Sequence, residues 1–311
     1  MMSRSYMAHT HDSDGTPRSM EGTTVVVTGA SDGIGRAAVR ALVERGASVV
    51  MVGRNEAKTA AAASAIMSAA GRRTITWEIA DLSRLDSVRD LADRLRRAHP
   101  RIDVLANNAG AIFLEYGVTN DGFERTFALN HLGYFTLTLL LIDHLSAASA
   151  LGAPARILNV SSRAHENARL DTTDLQMTRG FSGWRAYANS KLCNILFTRA
   201  LARRLDPARA VTHALHPGVV TTRFATNNGA TGRFMRRLMD VVSIDADAGA
   251  DTLVWLAGAN EATATSGDYW VKRRRRDPSR AARDLDLGEA LWQASATMVG
   301  IDADAIVRAA R

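Results

Sequence analysis

Tyr187 and Lys191 are a pair of residues whose types and spacing could do chemistry. Residues four apart on a helix share one face, so the phenol and the amine would lie close together. A nearby cation stabilises the phenolate and lowers the pKa of a phenol. We therefore expect Tyr187 to donate a proton to an oxygen atom that gains negative charge, with Lys191 tuning its pKa.

Other polar residues could complete this acid–base centre. Ser161 and Ser162 end an apolar run, residues 155–162, which predicts a buried strand. Open α/β sheets bind ligands at the carboxyl ends of their strands, so a serine there could hold a substrate oxygen. Strand alternation sends the two serines to opposite sides. Asn130 is an unexpected polar residue in an apolar helical segment, which suggests a functional role. The alternative is a buried amide that only hydrogen-bonds nearby backbone groups.

A glycine-rich turn precedes these residues in the chain. Gly29, Gly33 and Gly35 lie where a strand, residues 23–30, becomes a helix. Glycine permits the tight turn there and lets backbone N–H groups approach a diphosphate at the helix N-terminus. A plain strand-to-helix turn is the alternative. The position after the first strand of a βαβ unit favours a dinucleotide site, to which we also assign Ser31, Asp32 and Ile34.

Apolar β-branched runs alternate with helical patterns along the chain, as is typical of a parallel sheet flanked by helices. The pattern predicts an α/β fold, a single Rossmann-type doubly wound domain with a seven-stranded parallel sheet. We expect strands at residues 23–30, 47–53, 73–81, 102–110, 155–162, 210–218 and 267–272. Residues 1–20 are polar and are expected to form a disordered tail, and residues 21–311 form the domain. The helix over residues 185–205 is predicted to be amphipathic, anchored by Leu192, Ile195 and Leu196.

The motifs together resemble the short-chain dehydrogenase/reductase family from about residue 22 to 300. They occur in the family's order: TGASDGIG, ADL at 80–82, NNAG at 107–110, Asn130, VSS at 160–162, YANSK at 187–191 and PGVVTT at 217–222. The segments LNHLGYFTLT, RILNVSSRAH, KLCNILFTRALARRL and HPGVV are most similar to the retinol-dehydrogenase-like branch of that family.

The resemblance implies roles for individual residues. It selects Ser162 rather than Ser161 as the serine that polarises the substrate oxygen, and it gives Asn130 a water that connects Lys191 to solvent. It places Lys191 on the nicotinamide ribose. The other implied cofactor contacts are Asp81 and Leu82 at the adenine, Asn108, Ala109 and Gly110 near the adenosine and the central sheet, Thr222 at the nicotinamide amide, and also Asn55, Tyr187, Pro217, Gly218 and Val220.

The end of the second strand bears on the choice of cofactor. An acidic residue there would bond the adenosine ribose and repel a 2′-phosphate. The sequence has Gly53 at this position and Arg54 next to it, and an arginine fork suits a phosphate. We therefore predict NADP(H) in preference to NAD(H), with an ordinary solvated Arg54 as the alternative.

Composition excludes several classes of protein. The net charge of +7 is modest for 311 residues and its arginines are spread over helices, so we expect no nucleic-acid partner. No apolar run is long enough for a transmembrane segment, and no signal peptide is evident. A single cysteine, Cys193, excludes an intrachain disulfide and is expected to be a buried structural thiol. His213 and His216 lack the neighbours of a metal site, and His165 is expected at the surface. A cytoplasmic location is expected.

Three regions could add further properties. Residues 223–250 would form a substrate lid in this family, and apolar residues there could line a pocket for an apolar substrate: Phe224, Phe234, Met235, Leu238 and Met239. The basic run KRRRRD at 272–277 is expected to be a solvated loop, with weak contact to an anionic membrane surface or an acidic partner as alternatives. The helices that carry Asn130 and Tyr187 pair into dimers or tetramers in related proteins, and a monomer would need Leu137–Leu141 and Phe197 covered in another way.

The sequence thus predicts an NADP(H)-dependent oxidoreductase that interconverts a ketone or aldehyde and an alcohol by hydride transfer. One alternative keeps the fold but uses bound cofactor for epimerisation, dehydration or cyclisation. Another is a non-catalytic nucleotide-sensing protein. The intact set of Ser162, Tyr187 and Lys191 counts against the last, because a sensor needs no proton donor.

Overall fold

The eight strands of the described chain form one sheet. The computed structural model describes residues 19–147, 152, 154–218 and 245–310. The strands are β1 Thr24–Thr28, β2 Ser48–Gly53, β3 Ile75–Ile79, β4 Val104–Asn107, β5 Ala155–Val160, β6 Ala210–His216, β7 Tyr269–Val271 and β8 Arg274–Arg276. Their order is β3-β2-β1-β4-β5-β6-β7-β8, and the first seven pair in parallel. The seven predicted strands are confirmed, with shorter ends because the predicted ranges included turns.

Helices cover both faces of the sheet. They are α1 Gly33–Glu44, α2 Glu56–Ala70, α3 Leu85–Ala98, α4 Arg125–Phe127, α5 Gly133–Leu140, α6 Ile142–Leu145, α7 Gly183–Ala202, α8 Ala246–Gly258, α9 Leu285–Val299 and α10 Ala303–Ala309. Alternate strand residues face opposite cores. Val26 belongs to the core that includes buried residues of α3, α5, α7, α9 and α10, whereas Val25 and Val27 belong to the core that includes those of α1, α2 and α8.

The helix that carries the Tyr187–Lys191 pair is buried on most of its surface. Of the 20 residues of α7, 15 are buried, including Leu192, Ile195 and Leu196. The predicted amphipathic character is therefore wrong, although the three predicted anchors are confirmed. The helix lies between β5 and β6 on one side and α9 on the other. The side chains of α7 are consequently held away from water along most of the helix.

The apolar faces of α5 and α7 are covered by the protein's own C-terminal helices. The ring of Trp292, on α9, stacks on Phe197 at 6.1 Å and meets Phe135 edge-on at 5.2 Å. Leu137 and Leu141 are fully buried, and α10 contacts α5 and α6. The exposed apolar face on which the dimer or tetramer expectation rested is therefore absent from these helices in the described chain.

The basic run is not a loop. Lys272 and Arg273 have positive φ of 50° and 58°, which is typical of a tight hairpin turn, and Arg274–Arg276 return as β8, antiparallel to β7. The predicted seven-stranded sheet thus gains an eighth strand. Arg273 pairs with Asp251, and Arg275 lies 2.8 Å from Asp268. β8 forms the edge of the sheet, where charged side chains are common because they discourage pairing with another chain.

The N-terminal boundary of the folded chain includes Met20. Its side chain is fully buried and its N–H donates to the Arg45 carbonyl at 2.8 Å, although we assigned residues 1–20 to a tail. Residues 1–18 and 219–244 lie outside the described residues, and the second range includes most of the lid expected at 223–250. Within the described ranges, no helix is long and apolar enough to cross a membrane. The same ranges contain no cluster of metal-ligating side chains.

Candidate active site

Four predicted catalytic residues come together at the carboxyl ends of β4 and β5. Ser162 follows the end of β5, and its hydroxyl hydrogen-bonds the Tyr187 phenol. The Lys191 amine lies 5.6 Å from the centre of the Tyr187 ring. A Cβ atom placed on Gly110 would lie 3.2 Å from Asn130 Oδ1 and 3.5 Å from Lys191 Nζ. The side chains of Asn130 and Lys191 therefore both approach Gly110 in the loop after β4.

Lys191 is a buried amine with a fixed orientation. Its Nζ donates to the Val160 carbonyl at 3.0 Å, and the Tyr134 ring lies 5.8 Å away on another side. Ser161 donates its hydroxyl to the Lys191 carbonyl at 2.7 Å, which confirms Ser161 as the structural serine of the pair. Burial lowers the pKa of Lys191 to about 7. The amine is thus held beside the phenol but carries only part of its charge at neutral pH.

The expected lowering of the Tyr187 pKa is not found in this structure. Burial of the phenol raises its pKa to about 12, and only the hydrogen bond with Ser162 acts in the opposite direction. Desolvation disfavours the charged form of any buried acid. Lys191 is buried as well, and it does not offset the desolvation of Tyr187.

Asn130 lies in a π-helical turn, Ala128–Leu132, between α4 and α5. Such turns interrupt a helix locally and are frequent at functional sites. Its Oδ1 accepts from Ala111 N at 2.9 Å, and its Nδ2 donates to Ala111 O at 2.9 Å and to Ser190 Oγ at 3.0 Å. The side chain therefore fixes the turn after β4, as the structural alternative predicted. The water-holding role stays a prediction.

The glycine turn has the geometry of a diphosphate cradle. Gly29 and Gly33 have positive φ of 65° and 49°. A Cβ on Gly29 would lie 2.8 Å from Ala109 Cα, and one on Gly35 would overlap the Gly29 carbonyl. No other residue fits this packing, and the turn leads directly into the N-terminus of the 12-residue α1. The residues present therefore fit a dinucleotide.

The turns after β1 and β4 are held together by Thr28, which sequence reasoning missed. Its Oγ1 accepts from Asn108 N at 2.9 Å and from Ala109 N at 3.0 Å. The side-chain Nδ2 of Asn108 in turn donates to the Thr28 carbonyl at 2.8 Å. These strands lie at the point where the strand order reverses, which is where ligands bind in such sheets.

Basic and amide groups lie at the end of β2. Arg54 is exposed, and Asn55 caps α2 by accepting from Lys58 N at 2.9 Å. Lys58, which the sequence analysis did not select, donates to Asp32 at 2.7 Å. Asp32 also caps α1 by accepting from Gly33 N at 2.9 Å. The positive charge of Lys58 thus offsets the negative charge of the Asp32 carboxylate at the N-terminus of α1.

The remaining residues that were predicted to contact the cofactor differ in their burial and hydrogen bonds. The Asp81 carboxylate accepts from Ser83 N at 3.0 Å and Ser83 Oγ at 2.7 Å, and the Leu82 side chain lies in the core. Partly exposed residues near the carboxyl edge are Ser31, Ile34, Asn108, Ala109, Gly110, Pro217 and Gly218. Val220 and Thr222 lie outside the described residues, as do the apolar lid residues from Phe224 to Met239.

Gly53 is closed to any side chain by the packing of α2. A Cβ there would overlap Thr59 Oγ1, which is buried and donates to Asn55 O at 2.8 Å. An acidic residue at this position is therefore excluded by sterics as well as absent from the sequence.

We expect Gly53→Ala to lower the free energy of unfolding by about 1–3 kcal/mol, because it overpacks the site. Thr59→Ala should cost about 1 kcal/mol through the lost hydrogen bond, and the double variant should cost less than the sum. Urea unfolding measures all three. Gly288→Ala, where a Cβ would meet Leu196 at an ordinary 3.8 Å, is the control. Additive costs would show that Thr59 is not the obstacle.

Comparisons with known proteins agree with this geometry. A family model described as short chain dehydrogenase matches residues 23–232. The chain is 39% identical to a daunorubicin C-13 ketoreductase candidate of a Streptomyces species over 92% of this chain and 96% of that protein. It is 35% identical to human retinol dehydrogenase 13 over 92% of this chain and 87% of that protein. Among solved structures, the NADP active-site complex of Pseudomonas aeruginosa RhlG is 27% identical, with a TM-score of 0.64 over 81% of this chain and 94% of that one.

Proposed function

We propose that this chain, which belongs to the short-chain dehydrogenase family and is an oxidoreductase of alcohol and carbonyl groups, prefers NADP(H) and acts on an apolar ketone or aldehyde. The observation that carries the proposal is the meeting of Ser162, Tyr187 and Lys191 beside the glycine cradle. When bound, the nicotinamide cofactor supplies or accepts the hydride.

The protein's own groups handle the oxygen and the proton. The Ser162 hydroxyl holds the carbonyl oxygen of the substrate, and the Tyr187 phenol gives it a proton as negative charge develops there. Lys191 Nζ, held by the Val160 carbonyl at 3.0 Å, stabilises the phenolate that remains. In the direction of alcohol oxidation the same groups take the proton back.

Aromatic side chains beside α7 support an apolar substrate. Trp184 is 47% exposed and lies three residues before Tyr187, on the same face of the helix. The Tyr116 ring, 45% exposed, meets Phe181 edge-on at 5.3 Å. Exposed aromatic rings near polar catalytic groups are typical of sites that bind apolar ligands. The Streptomyces relative, named as a daunorubicin C-13 ketoreductase, supports a ketone as the substrate.

NADPH consumption across a panel of apolar ketones and aldehydes tests the activity. We expect turnover of at least one member, with NADPH used in preference to NADH. NADPH binding without consumption would contradict the proposal and favour a use of bound cofactor in another reaction, or nucleotide sensing.

The cofactor preference is tested at the end of β2. Arg54→Asp should lower the ratio of kcat/KM for NADPH to that for NADH by about 10–100-fold, because a hydrogen-bonded charge on the 2′-phosphate contributes about 1.5–3 kcal/mol. Arg73→Asp makes the same charge change before β3, at the amino ends of the strands and so away from the cofactor site. It should leave the ratio of kcat/KM values unchanged. An unchanged ratio in Arg54→Asp would remove this residue from cofactor selection.

A further inference from the structure

His165 is a buried residue three positions after Ser162, although we expected it at the surface. It lies in the 3₁₀ helix Arg163–Asn167 with 1% of its surface exposed. Its ring meets the Tyr269 ring edge-on at 5.0 Å. The surface prediction was wrong because Tyr269, far along the chain on β7, covers the ring.

Both ring nitrogens of His165 are bonded, and the partners fix the tautomer. Ser279 N donates to Nε2 at 3.1 Å, so Nε2 carries no hydrogen. Nδ1 lies 2.7 Å from the Ser162 carbonyl, which can only accept. The neutral ring must therefore hold its hydrogen on Nδ1 and donate it to Ser162. Burial also lowers the pKa of His165, which favours this neutral form.

Ser162 lacks the support that the sheet gives to its neighbours. The last β5 contact is made by Ser161 N, which donates to Leu215 O at 2.7 Å. Beyond it, the Ser162 carbonyl accepts from His165 N at 3.2 Å and from the ring at 2.7 Å. Ser162 Oγ accepts from Ala164 N at 3.2 Å while it bonds the Tyr187 phenol. His165 thus fixes the backbone carbonyl of Ser162, the residue whose side chain contacts the Tyr187 phenol.

We propose that His165 is a positioning residue for Ser162: its Nδ1–H holds the serine carbonyl, and its Nε2 ties that peptide to Ser279 on the segment after β8. The proposal rests on the proposed function for the role of Ser162. In this proposal the bond to Ser162 affects catalysis, whereas the bond to Ser279 anchors the imidazole ring. The two bonds can be removed separately.

Asparagine and glutamine each reproduce one half of the imidazole. The Asn amide nitrogen can stand where Nδ1 stands and donate to Ser162, but it leaves Ser279 N without its acceptor. The Gln amide oxygen can stand where Nε2 stands and accept from Ser279, but it offers no donor to Ser162. Both variants have similar size and polarity, so they form a matched pair.

In a ketone reduction assay, we expect His165→Asn to keep kcat within about 3-fold of wild type, and His165→Gln to lower it at least 10-fold. Loss of one hydrogen bond of about 1.4 kcal/mol corresponds to that factor. The dissociation constant for NADPH and the Tm should differ little between the two variants. Equal losses in kcat, or losses that follow Tm, would overturn the proposal and leave His165 a packing residue.

Two readouts do not depend on turnover. The ¹⁵N spectrum of the wild-type ring, assigned with His165→Asn, should show the Nδ1–H tautomer. A crystal structure of His165→Gln should show Ser162 Oγ displaced from the Tyr187 phenol, and one of His165→Asn should not. An Nε2–H tautomer or an undisplaced serine would overturn the proposal. Wild-type protein that reduces no carbonyl would contradict the proposed function instead, and these two readouts would still decide the role of His165.

Discussion

Tyr187→Phe should lower kcat for carbonyl reduction by about 10²–10⁴-fold, the usual contribution of a positioned proton donor. The phenylalanine keeps the ring in its place but removes the hydroxyl that Ser162 contacts. The alkoxide formed in the reaction would then have no protein acid beside it. Steady-state kinetics with NADPH and a ketone from the panel measures the effect.

The binding of NADPH provides the internal check on this variant. The glycine cradle and the end of β2 are untouched, so the dissociation constant from fluorescence titration should stay within about 3-fold of wild type. Near-wild-type turnover in Tyr187→Phe would remove this phenol from the mechanism.

Lys191→Met should change how stability depends on pH in the nucleotide-free protein. The pKa of Lys191 is about 7 in the fold, against an ordinary 10.5, because burial penalises the charged amine. Between these values the unfolded chain binds more protons at this residue than the folded chain does. The contribution of Lys191 to the free energy of unfolding therefore rises with pH across this window, by up to about 1.4 kcal/mol per pH unit.

Urea unfolding at pH 7, 7.5, 8 and 8.5 measures this difference. The rise in stability with pH should be smaller in Lys191→Met than in wild type by about 1–2 kcal/mol over the whole range. Titration of the other groups is common to both proteins and cancels in the comparison. Lys272→Met removes an exposed lysine and should follow the wild-type curve. Parallel curves for wild type and Lys191→Met would show that the amine stays charged when buried.

The sequence was most informative where burial is continuous. Strands such as β1 and β5 are buried on both faces, so their apolar runs stand out without knowledge of their neighbours. The glycine turn and the Tyr187–Lys191 pair depend on backbone and helix spacing, which are local properties. These elements could be predicted because each depends on residues that are close together in the chain.

Features that depend on distant partners could not be predicted in this way. His165 is buried by Tyr269 and bonded to Ser279, which is 114 residues further along. β8 consists of three exposed arginines, a composition that shows neither alternation nor apolar character. The spacing of Tyr187 and Lys191 predicts their contact, but the pKa of each depends on how completely the rest of the fold excludes water.

The internal cover over α5 and α7 has a consequence for how the enzyme responds to dilution. In an assembly that completes its catalytic helices through a neighbouring subunit, mass action separates the subunits at low concentration and activity per molecule falls. Here the Trp292 ring that braces Phe135 and Phe197 belongs to the same chain as Tyr187. A covalently attached brace has an effective concentration that dilution cannot change. The support that Trp292 gives to Phe135 and Phe197 should therefore stay the same as the protein is diluted.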